Sequence, residues 1–338
     1  MINQSVRLPD LLSNQKNFIS AFEKRLISLL NKDELGAFIL VLANSLQDEQ
    51  LNKLLAKKIA VTFKQLKENA NLVAGPDDIS VFETLKKTGV TQYKTWQYKQ
   101  VESWLCTLNS FRSLRPERSS KQDFTSLYQD FNKEAFHFSK PFLRPEVISI
   151  EKFEQLDLQI MFQKFPFIPY HLLIVINASQ YLPQYLDQKT HQTLWHFINT
   201  VSQKIKGFRL AYNSLGAGAS VNHLHFHGCI INTLSIEETQ WLHNGGNQHY
   251  PLAVRCCHSI KESWGIIEQQ HQNNQPYNLL YSKDCCYIIP RSPQSKKSND
   301  LKMISWYEAS GGFIFDQEET FENIKSTDIQ RVLANFSL

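Results

Sequence analysis

The run His223-Leu224-His225-Phe226-His227 constrains this chain more than any other stretch. Side chains of a β-strand alternate between its two faces. The spacing therefore predicts a strand that turns three imidazoles to one side and sends Leu224 and Phe226 into a core on the other. Imidazole is a competent nucleophile near neutrality, because an ordinary pKa of about 6.5 leaves much of it unprotonated. Alternating histidines also suit a facial metal site or a solvated polar face, so the residues around them have to decide.

What precedes them favours phosphate chemistry. Leu215-Gly216-Ala217-Gly218-Ala219-Ser220 is a run of small residues whose backbone N–H groups can approach a phosphate closely, with the Ser220 hydroxyl as a further donor. A glycine loop alone more often marks a simple turn. Joined to three same-face histidines, it describes a seat for a phosphate beside a nucleophile.

The 338 residues, 42% of them hydrophobic, can bury one large core or two ordinary ones. The net charge of +4, from 36 basic and 32 acidic residues, suits a phosphorylated ligand and is too small to argue for specific nucleic-acid binding. No stretch reaches the ~18 apolar residues of a spanning helix, so no membrane contact is expected. Met1-Ile2-Asn3-Gln4-Ser5 lacks a basic segment leading into an apolar run, which predicts a cytoplasmic protein. The six cysteines, Cys106, Cys229, Cys256, Cys257, Cys285 and Cys286, include two adjacent pairs and read as reduced thiols. No metal or cofactor is expected. The alternative is zinc at Cys256, Cys257 and His258 with Cys285 and Cys286, although no C-x-x-C spacing supports it.

Residues from about 15 to 110 read as helical: Phe18, Phe22, Leu26, Leu29 and Leu30 recur at helical spacing, and 38–67 is rich in good helix formers. Gly75-Pro76-Asp77-Asp78 predicts a turn, with Asp78 as a cap. Trp96, Trp104 and Leu105 read as core anchors. Leu114 to Lys121 is polar and aperiodic, a linker. Beyond it the predicted strands are 135–138, 172–176, 208–212 and 222–232, with an amphipathic helix at 190–206. A second strand-rich stretch contains 279–281, 286–291 and 311–315, and 293–300 reads as a mobile loop. Strands without regular β-α alternation predict an α+β fold. The expected units are a helical N-terminal region over 1–125, a catalytic half over 126–240 and a strand-rich half over 241–338.

These residues resemble the histidine triad superfamily, and more narrowly its branch of galactose-1-phosphate uridylyltransferases, diadenosine tetraphosphate phosphorylases and GDP-hexose phosphorylases. The resemblance rests on Gly218 through His227, on Phe165-Pro166-Phe167-Ile168-Pro169-Tyr170-His171 with the strand after it, and on Phe136-His137-Phe138-Ser139-Lys140-Pro141-Phe142. Pro276-Tyr277-Asn278-Leu279-Leu280 and Ile289-Pro290-Arg291 look like the C-terminal half of the phosphorylases. It covers roughly residues 130–320 and implies an antiparallel sheet of histidine-triad type with flanking helices and a degenerate second copy of the catalytic half.

The same resemblance makes His225 the nucleophile on the α-phosphorus of a nucleotide, giving a covalent nucleotidyl-histidine. It implies that His223 orients the site and that His227 donates toward phosphate oxygens. Gly216, Gly218, Ala219, Ser220 and Asn213 would hold phosphate. Lys140, His171 and Arg291 are further substrate-binding candidates. The implied activity is that of a nucleotidyltransferase or phosphorylase on a nucleoside diphosphate sugar or dinucleoside polyphosphate. Phosphate or a sugar phosphate would be the acceptor, and a homodimer is allowed. A nucleotide hydrolase and a non-catalytic nucleotide-binding regulator are the alternatives, since His227 stands where many transferases have glutamine.

Overall fold

The computed structural model describes residues 10–30, 34–69, 72–116, 124–294 and 304–338. Most of the polar 114–121 stretch and of the 293–300 loop lies outside them.

Four helices open the chain: α1 (Gln15–Leu29), α2 (Leu35–Ser45), α3 (Glu49–Glu68) and α4 (Pro76–Thr88). The helical spacing of Phe18, Phe22, Leu26 and Leu29 becomes the buried stripe of α1. The 38–67 stretch is two helices, because Asp48 caps α3 by accepting from the Leu51 N–H and so forces a break. Helix α4 starts on Pro76, whose missing N–H costs nothing at a first turn, with Gly75 as its N-cap. Asp78 is therefore not the cap; it sits in the first turn and pairs with Lys164 at 2.6 Å.

The helical reading fails at the end of this region. Residues 97–108 form a hairpin of β1 (Gln97–Val101) and β2 (Trp104–Leu108), turned at Glu102-Ser103. Trp104, Cys106, Thr107 and Leu108 are all buried, and a buried run this short cannot be separated from helix by periodicity. Strand β2 accepts the distant β11 (Gly312–Phe315) in parallel, giving a three-stranded sheet.

The main sheet has eight strands, all paired antiparallel: β3 (Val147–Phe153), β4 (Leu156–Phe162), β5 (Leu172–Ile176), β6 (Phe208–Asn213), β7 (His225–Ile230), β8 (Arg255–Cys257), β9 (Tyr277–Ser282) and β10 (Cys285–Pro290). Helix α5 (Gln188–Ser202) lies between β5 and β6, and α6 (Ile260–Gln272) between β8 and β9. Short helices α7 (Trp306–Ala309), α8 (Glu318–Asn323) and α9 (Ser326–Ala334) complete the chain. Residues 135–138 are irregular rather than a strand, and the β3–β4 hairpin has no counterpart among the predicted strands. None of the described helices is long and apolar enough to cross a membrane.

The strand order is β3-β4-β5-β7-β6-β9-β10-β8. Its last six strands read the same from both ends once the two strand-helix-hairpin units, β5-α5-β6-β7 and β8-α6-β9-β10, are superposed in mind. Their meeting line runs between β6 and β9, where Asn213 faces Asn278. Both helices cover the same face. That face buries Phe208, Leu210, Tyr212, Leu224, Phe226, Leu279 and Tyr281 against α1 to α6 in the main core. The opposite face carries two smaller clusters, one around Phe138, Met161, Leu173 and Val175, the other around Trp104, Leu280, Ile289 and Trp306. His225 and His227 emerge where those two clusters meet.

Candidate active site

Strand β7 begins at His225, so the chain turns at His223 and only His225 and His227 share the pleat. The turn brings the His223 carbonyl oxygen 2.7 Å from His225 Nδ1. His225 must then carry its proton on Nδ1, which leaves Nε2 as a bare lone pair. The site is thus oriented by the backbone of His223 rather than by its ring. The His223 ring accepts the Phe138 N–H on Nδ1 at 3.2 Å and is packed by Phe131 and Phe138.

Burial pushes His225 down to about 4 and His223 to about 3, and holds His227 and His171 well below the ordinary histidine range. All four imidazoles are neutral at physiological pH. For His225 this is the nucleophilic form. It retains 5% exposure, and the Phe138 ring stands 4.8 Å from it.

Gln184 locks the start of β7 in place. Its Oε1 accepts the His225 N–H at 2.9 Å, and its Nε2 donates to the carbonyls of Asn213 and His225. Sequence inspection gave no hint of this residue, since a lone glutamine in a loop carries no periodicity or spacing.

The glycine loop takes its shape from positive φ at Gly216 (77°) and Gly218 (98°). A Cβ on Gly218 would lie 3.0 Å from Ser305 Cα. The N–H groups of Ala217 and Ala219 turn inward to the Ser214 carbonyl, so Ala219 does not offer its backbone to a phosphate as expected. Among the described residues, no hydrogen bond uses the N–H of Gly218 or Ser220. Gly216, Gly218, Ala219 and the exposed Ser220 line a cavity of about 1220 Å³ together with Phe136 and Asn222. The histidines are not in that lining, although Val221, two residues before His223, is.

The other candidates scatter. His171 joins the site, with Nε2 2.9 Å from His227 Nδ1. Both ring nitrogens of His227 have protein partners, the second being Asn213 Nδ2 at 3.5 Å, so it does not aim a free N–H at phosphate. Asn213 is likewise engaged: its Oδ1 accepts from Asn278 Nδ2 and the Trp306 N–H. Arg291 is fully buried, not at a second phosphate, and donates through Nη1 to Asn278 Oδ1 at 2.7 Å. Lys140 donates to the Lys133 carbonyl at 2.8 Å. Cys257 and Cys286 enter the main core, while Cys256 and Cys285 face the other side of the sheet. Cys256 meets Cys285 and lies 3.6 Å from His258 Nε2, but the other two thiols are on the opposite face, and no group of three metal-binding side chains gathers among the described residues.

Residues 80–229 match the family described as "GDPGP1-like, N-terminal domain". GDP-D-glucose phosphorylase 1 of Danio rerio is 32% identical over 138 residues, 40% of this chain and 39% of the relative. GDP-L-galactose phosphorylase 1 of Arabidopsis thaliana is 24% identical over 294 residues, 70% of this chain and 62% of the relative. The matches thus span between two fifths and two thirds of those relatives' own length. Yeast Ap4A phosphorylase Apa2 in complex with Ap4A has the same fold, with a TM-score of 0.51 at 15% identity over 79% of this chain and 99% of that one. The chain is thus similar in sequence to GDP-hexose phosphorylases, over residues 80–229 to the GDPGP1-like N-terminal domain, and in fold to an Ap4A phosphorylase.

Proposed function

We propose that this protein is a nucleotidyl-transferring phosphorylase that splits a GDP-hexose with inorganic phosphate through a nucleotidyl-His225 intermediate. The observation that carries the reading is the pinned Nδ1 of His225, which leaves a neutral Nε2 on the strand that follows the glycine loop. The names of the relatives supply the substrate class.

In the first step Nε2 attacks the α-phosphorus. The bond from that phosphorus to the bridging oxygen breaks, and hexose 1-phosphate leaves with the electron pair. Positive charge develops on the imidazole and is stabilised by the Nδ1–H···O=C bond to His223. A phosphate oxygen then attacks the same phosphorus. The P–N bond breaks, its electrons return to Nε2, and GDP departs. The free N–H groups of Gly218 and Ser220 are suited to bind the phosphoryl oxygens as charge shifts among them.

The test is incubation with a GDP-hexose without phosphate, followed by intact-protein mass measurement. Wild type gains one GMP, His225→Ala gains none, and added phosphate discharges the adduct as GDP. GMP released at the same rate with and without phosphate would mark a hydrolase. Tight binding with neither adduct nor product would mark a regulator. Adding dinucleoside polyphosphates as a second substrate series separates the two phosphorylase chemistries.

A further inference from the structure

We propose that Asn278 and Arg291, supplied by the half of the sheet that has no triad, are positioning residues that fix the tautomer of His227. The proposal rests on the reading of His225 as nucleophile for its consequence, but not for its geometry.

A chain of buried polar groups crosses the meeting line of the two halves. Arg291 Nη1 donates to Asn278 Oδ1 at 2.7 Å. Asn278 Nδ2 donates to Asn213 Oδ1 and to the Ala217 carbonyl, each at 2.7 Å. Asn213 Nδ2 faces His227 Nε2 at 3.5 Å, and His227 Nδ1 meets His171 Nε2 at 2.9 Å. Amide oxygens and nitrogens are normally interchangeable in such a chain, as are histidine tautomers. Here two groups that can only donate remove the ambiguity. The guanidinium of Arg291 requires an oxygen at Asn278 Oδ1. The backbone N–H of Trp306, 2.8 Å from Asn213, requires an oxygen at Asn213 Oδ1.

Every later direction follows. With its oxygen committed, Asn213 turns N–H toward His227, whose Nε2 must be a lone pair. Its proton therefore sits on Nδ1 and is donated to His171 Nε2. A second proton on His227 would set N–H against N–H, so the chain keeps this ring neutral. That matters because the His225 and His227 rings are 5.4 Å apart. Positive charge grows on His225 as the P–N bond forms, and a cationic neighbour would oppose it. The same Asn278 amide holds Ala217, so the histidine tautomer and the glycine loop are set by one side chain. The two remaining guanidinium nitrogens of Arg291, Nε and Nη2, are buried without a partner among the described residues.

Nitrogen-15 histidine spectra of the wild-type protein, with His227 assigned by its loss in His227→Phe, test this directly. The expected result is a proton on Nδ1 and none on Nε2. In Asn278→Asp, which keeps the bond to Arg291 but sets a carboxylate oxygen against Asn213 Oδ1, repulsion should turn the Asn213 amide against its single bond from the Trp306 N–H, and His227 should move toward the Nε2–H form. That variant should lose roughly tenfold in kcat with KM changed less than about twofold. A wild-type His227 protonated on Nε2, or a folded Asn278→Asp with an unchanged tautomer, overturns the proposal. If Asn278→Asp does not fold, the wild-type spectrum still decides. Nucleotide labelling of His225 is read separately, so its failure would fall on the proposed function and not on this relay.

Discussion

The Nδ1 of His225 lies 2.7 Å from the carbonyl oxygen of His223, two residues earlier in the chain. On a regular strand that carbonyl would be committed to a neighbouring strand. The turn before β7 frees it to orient the ring, and the strand then continues through His227. One local departure from pleated geometry thus directs the ring proposed as the nucleophile.

Labelling of His225 should be insensitive to pH through the neutral range, because its pKa is lowered to about 4 by burial. A folded-state pKa below the unfolded value of about 6.5 means that acid favours the unfolded chain. Stability contributed by neutral His225, His191 and His271, each near 4, is fully present above about pH 6.5 and is lost as pH falls toward 4. Each contributes up to about 3 kcal/mol on this basis. Urea midpoints measured from pH 8 to 4.5 should fall only below about 6.5; a flat profile would contradict the burial of these rings.

Gly218→Ala should destabilise by about 1–2 kcal/mol, since φ is 98° and the added methyl meets the backbone at Ser305. Adduct formation should slow more than stability falls if the loop seats the phosphate as proposed. A variant with wild-type labelling kinetics would show that the loop only turns the chain.

Gln184→Met removes three hydrogen bonds to backbone groups of His225 and Asn213 while keeping similar volume. The buried N–H of His225 loses its partner, at a cost of roughly 2–3 kcal/mol. Thermal melting should register that loss, and the labelling rate should drop in the fraction that stays folded. An unchanged melting temperature would be the adverse result.

His171→Phe leaves His227 Nδ1 without its acceptor and keeps the packing on Phe167, whose ring is 4.3 Å away. The expected effect is a fall in kcat of about tenfold with the His225 adduct still formed. Complete loss of the adduct would instead place His171 among the groups that touch substrate.

The alternation of His223 to His227 and the glycine loop before it were legible because each is a local pattern: a two-residue period and a cluster of small residues within a dozen positions. The helical stripe of α1 and the strand at Leu172–Ile176 were readable for the same reason. The β1–β2 hairpin was not, because its short apolar alternation acquires meaning only when β11, some two hundred residues later, pairs with it. Gln184 and Asn278 were equally silent as functional residues, and Arg291, expected at a phosphate, is instead buried against Asn278. Sequence by itself determined that three imidazoles stand close together after a run of small residues and that two of them, His225 and His227, share one side of a strand. Only the tertiary structure decided where each proton sits, because a hydrogen bond between residues 65 positions apart, such as that of Asn278 to Asn213, exists only after the two halves of the sheet have met.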